Sequence, residues 1–301
     1  MAAQTEEGAA LSAGAAVSAR GRGGFVRAYS SNRLAVVGAG VMAVFILAAI
    51  LAPLIAPYGP NVQHLAGKFA GPSGAHPLGQ DELGRDILSR VIYGARVSLT
   101  AGLAAVVFAT VVGSLVGLTA GYLGRWIDAV LMRAMDILLA FPSILLAIVV
   151  VTMLGQGLVN AMLAVGIVNV PRMARVVRSA VIGIREREYV EAARATGASS
   201  SRILFFTVLP NSLAPLIVQA TITLATAILD IAALSFLGLG AQAPTPEWGA
   251  MLTDAFRSGY GVFINGQHAI LFPGIAIALS VLSVNFIGDG LRDAFDPRRR
   301  R

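Results

Sequence analysis

The 301-residue sequence contains no cysteine, and its only lysine is Lys68. Disulfides, thiolate metal sites and cysteine nucleophiles are therefore excluded. Lys68 follows Gly67 but lacks the upstream glycine and the next-residue Ser or Thr of a nucleotide-binding loop, so the chain has no Walker A motif. Charged residues make up 13%, against about a quarter in soluble domains. His64, His76 and His268 are scattered and lack zinc-ligand spacing. Asp81, Glu82 and Asp86 lack the alternating oxygen ligands of a calcium loop, and salt bridges to Arg85 and Arg90 are expected instead. No metal or cofactor site is expected on this chain. His-Glu-x-x-His and Gly-x-Ser-x-Gly are also missing, which disfavours an intramembrane enzyme.

What the sequence does have is apolar length. Hydrophobic residues reach 56%, and the mean hydropathy is +0.75. Several runs are long enough to cross a hydrocarbon core of about 30 Å as helices. They do not alternate as barrel strands would, so the expected fold is an all-α integral membrane protein with six transmembrane helices. The spans are read at 34–56, 98–123, 131–154, 158–177, 213–239 and 268–291, with Pro142 as a kink in the third. The first is too long for the core of a cleavable signal peptide and is read as a retained anchor. This divides the chain into a tail (1–33), the first helix with an outer segment (34–97), a main domain (98–291) containing a polar loop at 178–212, and a basic tail (292–301).

Six spans place both termini on one side. With the N-terminus inside, only Lys68, Arg85, Arg90, Arg96 and Arg257 of the 23 basic residues fall outside. Basic residues collect in cytoplasmic segments, so both termini are expected in the cytoplasm.

The 178–212 loop is patterned. Residues 185–196 favour helix, Gly197 suits the left-handed position that ends one, Ser199 suits the cap of a second, and Pro210 marks re-entry toward the membrane. Ala192, Ala193 and Ala195 give the first helix a slim profile suited to a cleft on another protein; a solvated connector is the alternative. Glu191-Ala192-Ala193, then Gly197, then Thr207-Val208-Leu209-Pro210, resembles the EAA loop of ABC importer permeases. Thr207 departs from the usual Ile or His. His76-Pro-Leu-Gly79, Gly84-Arg85-Asp86, Phe236-Leu-Gly-Leu-Gly240, Pro244-Thr-Pro-Glu247-Trp248-Gly249 and Gly288-Asp289-Gly290 extend the resemblance to the C-type dipeptide/oligopeptide/nickel permeases.

That resemblance implies a type I ABC importer transmembrane domain forming half of a pathway for di- or oligopeptides. Nickel or glutathione is the alternative cargo. It also implies a paralogous permease as heterodimer partner, two cytoplasmic ATP-binding subunits that hold ATP and Mg, and an extracytoplasmic binding protein. The coupling residues it implies are Glu188, Glu191, Ala192, Ala193, Gly197, Leu209 and Pro210. A self-contained channel would need no such loop.

Two further features keep two readings each. Asp230 lies inside the fifth span and either lines the pathway or bonds a neighbouring helix. Thr245-Pro246-Glu247 reads as N-cap, N1 proline and first-turn acid, ahead of an amphipathic face of Trp248, Met251 and Phe256. That face either packs over the bundle or serves as an outer gate or binding-protein surface.

Overall fold

The computed structural model describes residues 28–259 and 264–295. Among them no strand longer than an isolated bridge, Gln80 with Asp86, occurs. α1 (Arg33–Ile55) starts where the Asn32 side chain accepts from the Ala35 N–H at 3.2 Å. Its small residues, Ala35, Gly38, Ala49 and Ala52, are buried, while Val44, Ile50 and Leu54 point outward as lipid-facing residues do.

α2 (Ile87–Leu123) has 37 residues, about 55 Å at 1.5 Å per residue. It starts eleven residues before the expected span because Asp86 caps it, accepting from the Ser89 N–H at 2.8 Å and Ser89 Oγ at 2.7 Å. Asp86 therefore does not bridge to arginine as expected; its other oxygen meets His76 Nδ1 at 2.9 Å. α2 packs most extensively along α5 (Leu158–Arg185). The contact runs over a ridge of Gly113, Gly117 and Gly121, one turn apart. A Cβ on Gly113 would lie 2.4 Å from Met173 Cβ, and one on Gly117 2.4 Å from the Ala174 carbonyl oxygen. Small residues at that spacing let two membrane helices approach closely.

The third expected span is broken. α3 (Arg125–Leu139) and α4 (Ser143–Leu154) meet at 94°. Pro142 caps α4 and restricts Phe141 before it, which ends α3. Arg175 and Arg178 of α5 then hold α3 through Asp136 at 2.5 Å and Asp128 at 2.5 and 2.6 Å. Trp126, Val130 and Ile137 are left exposed on its other side.

Beyond α5 come α6 (Glu188–Ala195) and α7 (Ser200–Ile203). α7 continues through a π-helical segment, Leu204–Val208, into α8 (Leu209–Phe236). Pro210 therefore does not mark a break. The Leu209 N–H reaches back to the Leu204 carbonyl, and this widened turn accommodates the proline ring inside a continuous helix. The polar loop is correspondingly shorter than 178–212: its first residues end α5 and its last ones begin the next long helix.

α9 (Trp248–Arg257) and α10 (Gln267–Phe295) complete the fold. The N-cap of α9 is Glu247 rather than Thr245, because its carboxylate accepts from the Ala250 N–H at 2.9 Å. Four helical stretches, α1, α2, α7–α8 and α10, are long and apolar enough to cross a membrane, and the bent α3–α4 pair makes a fifth. α5 has the length of a sixth and turns basic beyond Pro171. The six-helix reading holds, with one span broken and one basic at its end.

Candidate functional site

Three polar features stand out from the apolar bundle. The first is α6 with its turn. α6 ends in a Schellman arrangement: the Gly197 N–H donates to the Arg194 carbonyl at 2.9 Å and the Ala198 N–H to the Ala193 carbonyl at 3.1 Å. Gly197 has φ +81, and a Cβ there would meet nothing within 4 Å. Ser199 Oγ then caps α7. Val190 is fully buried and joins α6 to the core cluster that also holds Ile203 and Val208. Glu188, Glu191, Ala192 and Ala195 are exposed, as is Pro210, while Ala193 and Leu209 pack half-buried on the core. Ala193 thus packs partly on the core and also lines an open surface pocket with Thr196 and Gly197.

α6 meets the C-terminal end of α2. Arg194 lies 5.7 Å over the Tyr122 ring, and Arg185 Nη1 donates to the Gly121 carbonyl at 2.9 Å. Arg194 thus contacts α2 from α6, while Arg185 bonds α5 to the same end of α2.

The second feature is an ionic cluster joining the outer segment to α9. Arg85 is 2% exposed. Its Nε donates to Asp81 at 2.6 Å and its Nη2 to Glu82 and, at 3.2 Å, to Asp254 of α9. Arg90, 1% exposed, approaches Asp81 at 3.4 Å and Asp254 at 3.6 Å. Burial, reinforced by neighbouring Asp81 and opposed by Arg85, lifts the Glu82 carboxyl to about 7. Burial works against the Arg85 charge, but Asp81, Glu82 and Asp254 outweigh it and raise its pKa. Asp254 had no role in the sequence reading; only the fold brings it to residues 81–90.

Trp248 and Met251 sit below this cluster, both buried. The indole N–H donates to the Val91 carbonyl at 3.0 Å, and Phe45 packs edge-on at 5.5 Å. Ser98 Oγ bonds the Glu247 carboxylate at 3.0 Å, and burial pushes that carboxyl upward. Trp248 and Met251 are therefore packing residues, and neither presents a surface to a partner. Phe256 is exposed, set edge-on to Phe236 at 5.3 Å.

The third feature is charge inside the spans. Asp230, on α8, is half-buried, and Arg172, on α5, is exposed. A charge in hydrocarbon costs about 2.5–3.5 kcal/mol on insertion scales. Asp230 was legible in the sequence as a charge in an apolar run. Arg172 falls near the basic end of its helix and donates to Asn169 at 3.3 Å.

A bundle of long apolar helices with small-residue contacts and a short polar helix outside its spans defines a polytopic membrane protein. Comparison with known proteins gives its family. Residues 113–301 match the family described as "Binding-protein-dependent transport system inner membrane component", and residues 23–72 match the "N-terminal TM domain of oligopeptide transport permease C". The chain is 53% identical to the dipeptide transport system permease protein DppC of Alkalihalophilus pseudofirmus, over 89% of this chain and 87% of that one. It is 47% identical to the glutathione transport system permease protein GsiD of Pectobacterium atrosepticum, over 76% and 74%. In fold it is similar to a chain of the MetNI methionine ABC transporter in an inward-facing conformation. The TM-score is 0.56 at 23% identity, covering 70% of this chain and 98% of that chain. The chain belongs to the binding-protein-dependent ABC importer permeases and is a transport subunit, not an enzyme.

Proposed function

We propose that this permease forms half of an import pathway for di- or oligopeptides, paired with a paralogous permease. The 53% identity to a dipeptide permease across nearly the whole chain carries this reading. An extracytoplasmic binding protein delivers the peptide. Two cytoplasmic subunits bind ATP and Mg and drive the cycle. The exposed edge of α6, with Glu188, Glu191, Ala192 and Gly197, docks on one of those subunits, and Leu209 and Pro210 carry its motion into α8. Ala193 supports the docking helix from behind. Asp230 lines the pathway, and Phe256 belongs to the outer gate or to the surface that receives the binding protein. Both termini lie in the cytoplasm, a reading the distribution of basic residues supports. The first helix and outer segment (34–97) precede the transport domain (98–291), with tails at 1–33 and 292–301.

Glutathione is the second reading, supported by the 47% identical relative. The test is uptake into proteoliposomes holding the complete transporter, with a radiolabelled dipeptide and radiolabelled glutathione supplied separately. Binding-protein-dependent, ATP-dependent dipeptide uptake is expected. Uptake of glutathione alone would replace the first reading with the second.

A further inference from the structure

The ionic cluster at the start of α2 is unevenly charged. Two buried guanidinium groups, Arg85 and Arg90, face three carboxyl groups, those of Asp81, Glu82 and Asp254. Arg85 Nη2 serves two of them at once: it donates to Glu82 and, at 3.2 Å, to Asp254. Arg90 Nη1 donates to the Pro60 carbonyl at 3.2 Å, while its Nε and Nη2 are buried without a hydrogen bond. Asp81 and Glu82 belong to the outer segment, with side chains 6% and 11% exposed, whereas Asp254 comes from α9 and is 25% exposed. The neighbouring charges are engaged elsewhere. His76 pairs with Asp86 at 2.9 Å, Lys68 lies over the Phe69 ring at 5.6 Å, and Arg257 of α9 turns toward Gly238. From α10, His268 Nε2 lies 2.9 Å from the Gln80 carbonyl oxygen. Two guanidinium groups balance two carboxylates, so the cluster is neutral only while one of its three carboxyls keeps a proton. Burying an unbalanced charge is unfavourable.

We propose that this cluster is a proton-operated latch: with one proton bound it holds α9 to the outer segment, and without that proton it lets α9 move away. The proton belongs on Glu82, whose carboxyl is lifted to about 7 by burial and by the adjacent Asp81. Its loss leaves three carboxylates on two guanidinium groups, and Glu82 then competes with Asp254 for the shared Arg85 Nη2. A hydrogen bond to an ionised carboxylate is stronger than one to a neutral carboxyl, so Glu82 gains Arg85 as Asp254 loses it. Asp254 is the group that leaves, because it sits on a different element and already reaches solvent. The latch is therefore tightest below pH 4.5, where the open form also holds the proton, and weakens as the pH rises to about 7. Release frees the end of α9 that carries Phe256, two residues beyond Asp254. What this does for transport rests on the reading of Phe256 above; the latch itself does not.

The test is amide hydrogen exchange, read by mass spectrometry on the complete transporter in lipid nanodiscs. Protection factors for α9 are compared at pH 5 and pH 8; they remove the intrinsic pH dependence of exchange and report local opening. Wild-type α9 should lose about tenfold of its protection over that range, with residues 113–121 of α2 unchanged. Glu82→Gln keeps a neutral group in place of the protonated carboxyl and should hold α9 at the pH 5 level throughout. Asp254→Asn removes the tie and the excess charge together and should hold it at the pH 8 level throughout. The wild type thus passes from the level of one variant to that of the other. Wild-type protection that does not change with pH overturns the proposal. So does a Glu82→Gln protein that loosens at pH 8 as the wild type does, or one already as loose as Asp254→Asn at pH 5, since that marks a packing role. Exchange is read without substrate, so a failure to import dipeptides would sink the peptide reading and leave the latch standing.

Discussion

At the scale of single residues, Gly197 and Glu191 separate backbone from surface effects. Gly197 adopts φ +81 with open space around its Cα, so a side chain there is penalised by the backbone alone. That penalty is about 1–3 kcal/mol for most residues and smaller for Asn. Gly197→Val should therefore uncouple uptake from ATP hydrolysis, and Gly197→Asn should retain most uptake. Glu191→Lys reverses an exposed charge without touching the fold and should uncouple equally. Uptake with ATPase stimulation, measured at normal membrane abundance, checks all three; normal turnover in Gly197→Val and Glu191→Lys would make α6 a mere connector. Glu82 offers a pH dependence. Its carboxyl rises from 4.5 to about 7 on folding, so the native state holds a proton that the unfolded chain has lost across that interval. Stability falls as pH rises through the interval, because the unfolded state binds fewer protons there. The fall amounts to at most about 3 kcal/mol. Melting temperature of the purified protein in detergent should drop between pH 5 and pH 8, and Glu82→Gln should flatten that slope. An equal slope in the variant would remove Glu82 as its source.

At the scale of elements, the α2–α5 contact decides how close the two central helices come. Gly113→Leu forces a side chain where even a Cβ is 2.4 Å from Met173. Overpacking of this kind costs about 1–3 kcal/mol or more. Gly274, in α10, has nothing within 4 Å of a built Cβ and serves as the control. Gly113→Leu should lower the melting temperature by several degrees at least, and Gly274→Ala should leave it nearly unchanged. Similar shifts in both would mean that the ridge is not a tight contact. The elements also show where sequence reading stops. Apolar run length located the spans, but Ser89, Arg90 and Arg96 interrupt the apolar residues of 87–97 and hid the first turns of α2, whose start depends on the Asp86 cap. Pro142 marked a kink without giving its angle, which depends on the ion pairs from α5 to α3. Pro210 looked like a boundary, and a π segment absorbed it.

At the scale of the whole molecule, the reading requires that energy come from other chains. Lys68, the only lysine, has no phosphate-binding context. The purified chain should therefore hydrolyse no ATP, and an unbiased pull-down should recover an ATP-binding subunit and a second permease. Hydrolysis by the isolated chain at transporter-like rates would refute this. Topology is checked in the cysteine-free background. Ser199→Cys should resist impermeant thiol reagents in intact cells and react in permeabilised ones, while Pro72→Cys should react in both. The reverse pattern would invert the orientation.

The sequence by itself determined that the chain is a membrane protein of about six helices. Hydrocarbon admits no unpaired backbone group, so apolar length alone compels helices. It also determined the turn at Gly197, because chirality restricts that geometry locally. Tertiary structure decided what depends on two distant segments meeting. It brought Asp254 to Arg85, sank Trp248 and Met251 into the bundle, and packed Ala193 half-buried on the core. Each of these is a pairing between separate helices, and run length, caps and turns describe only one segment at a time.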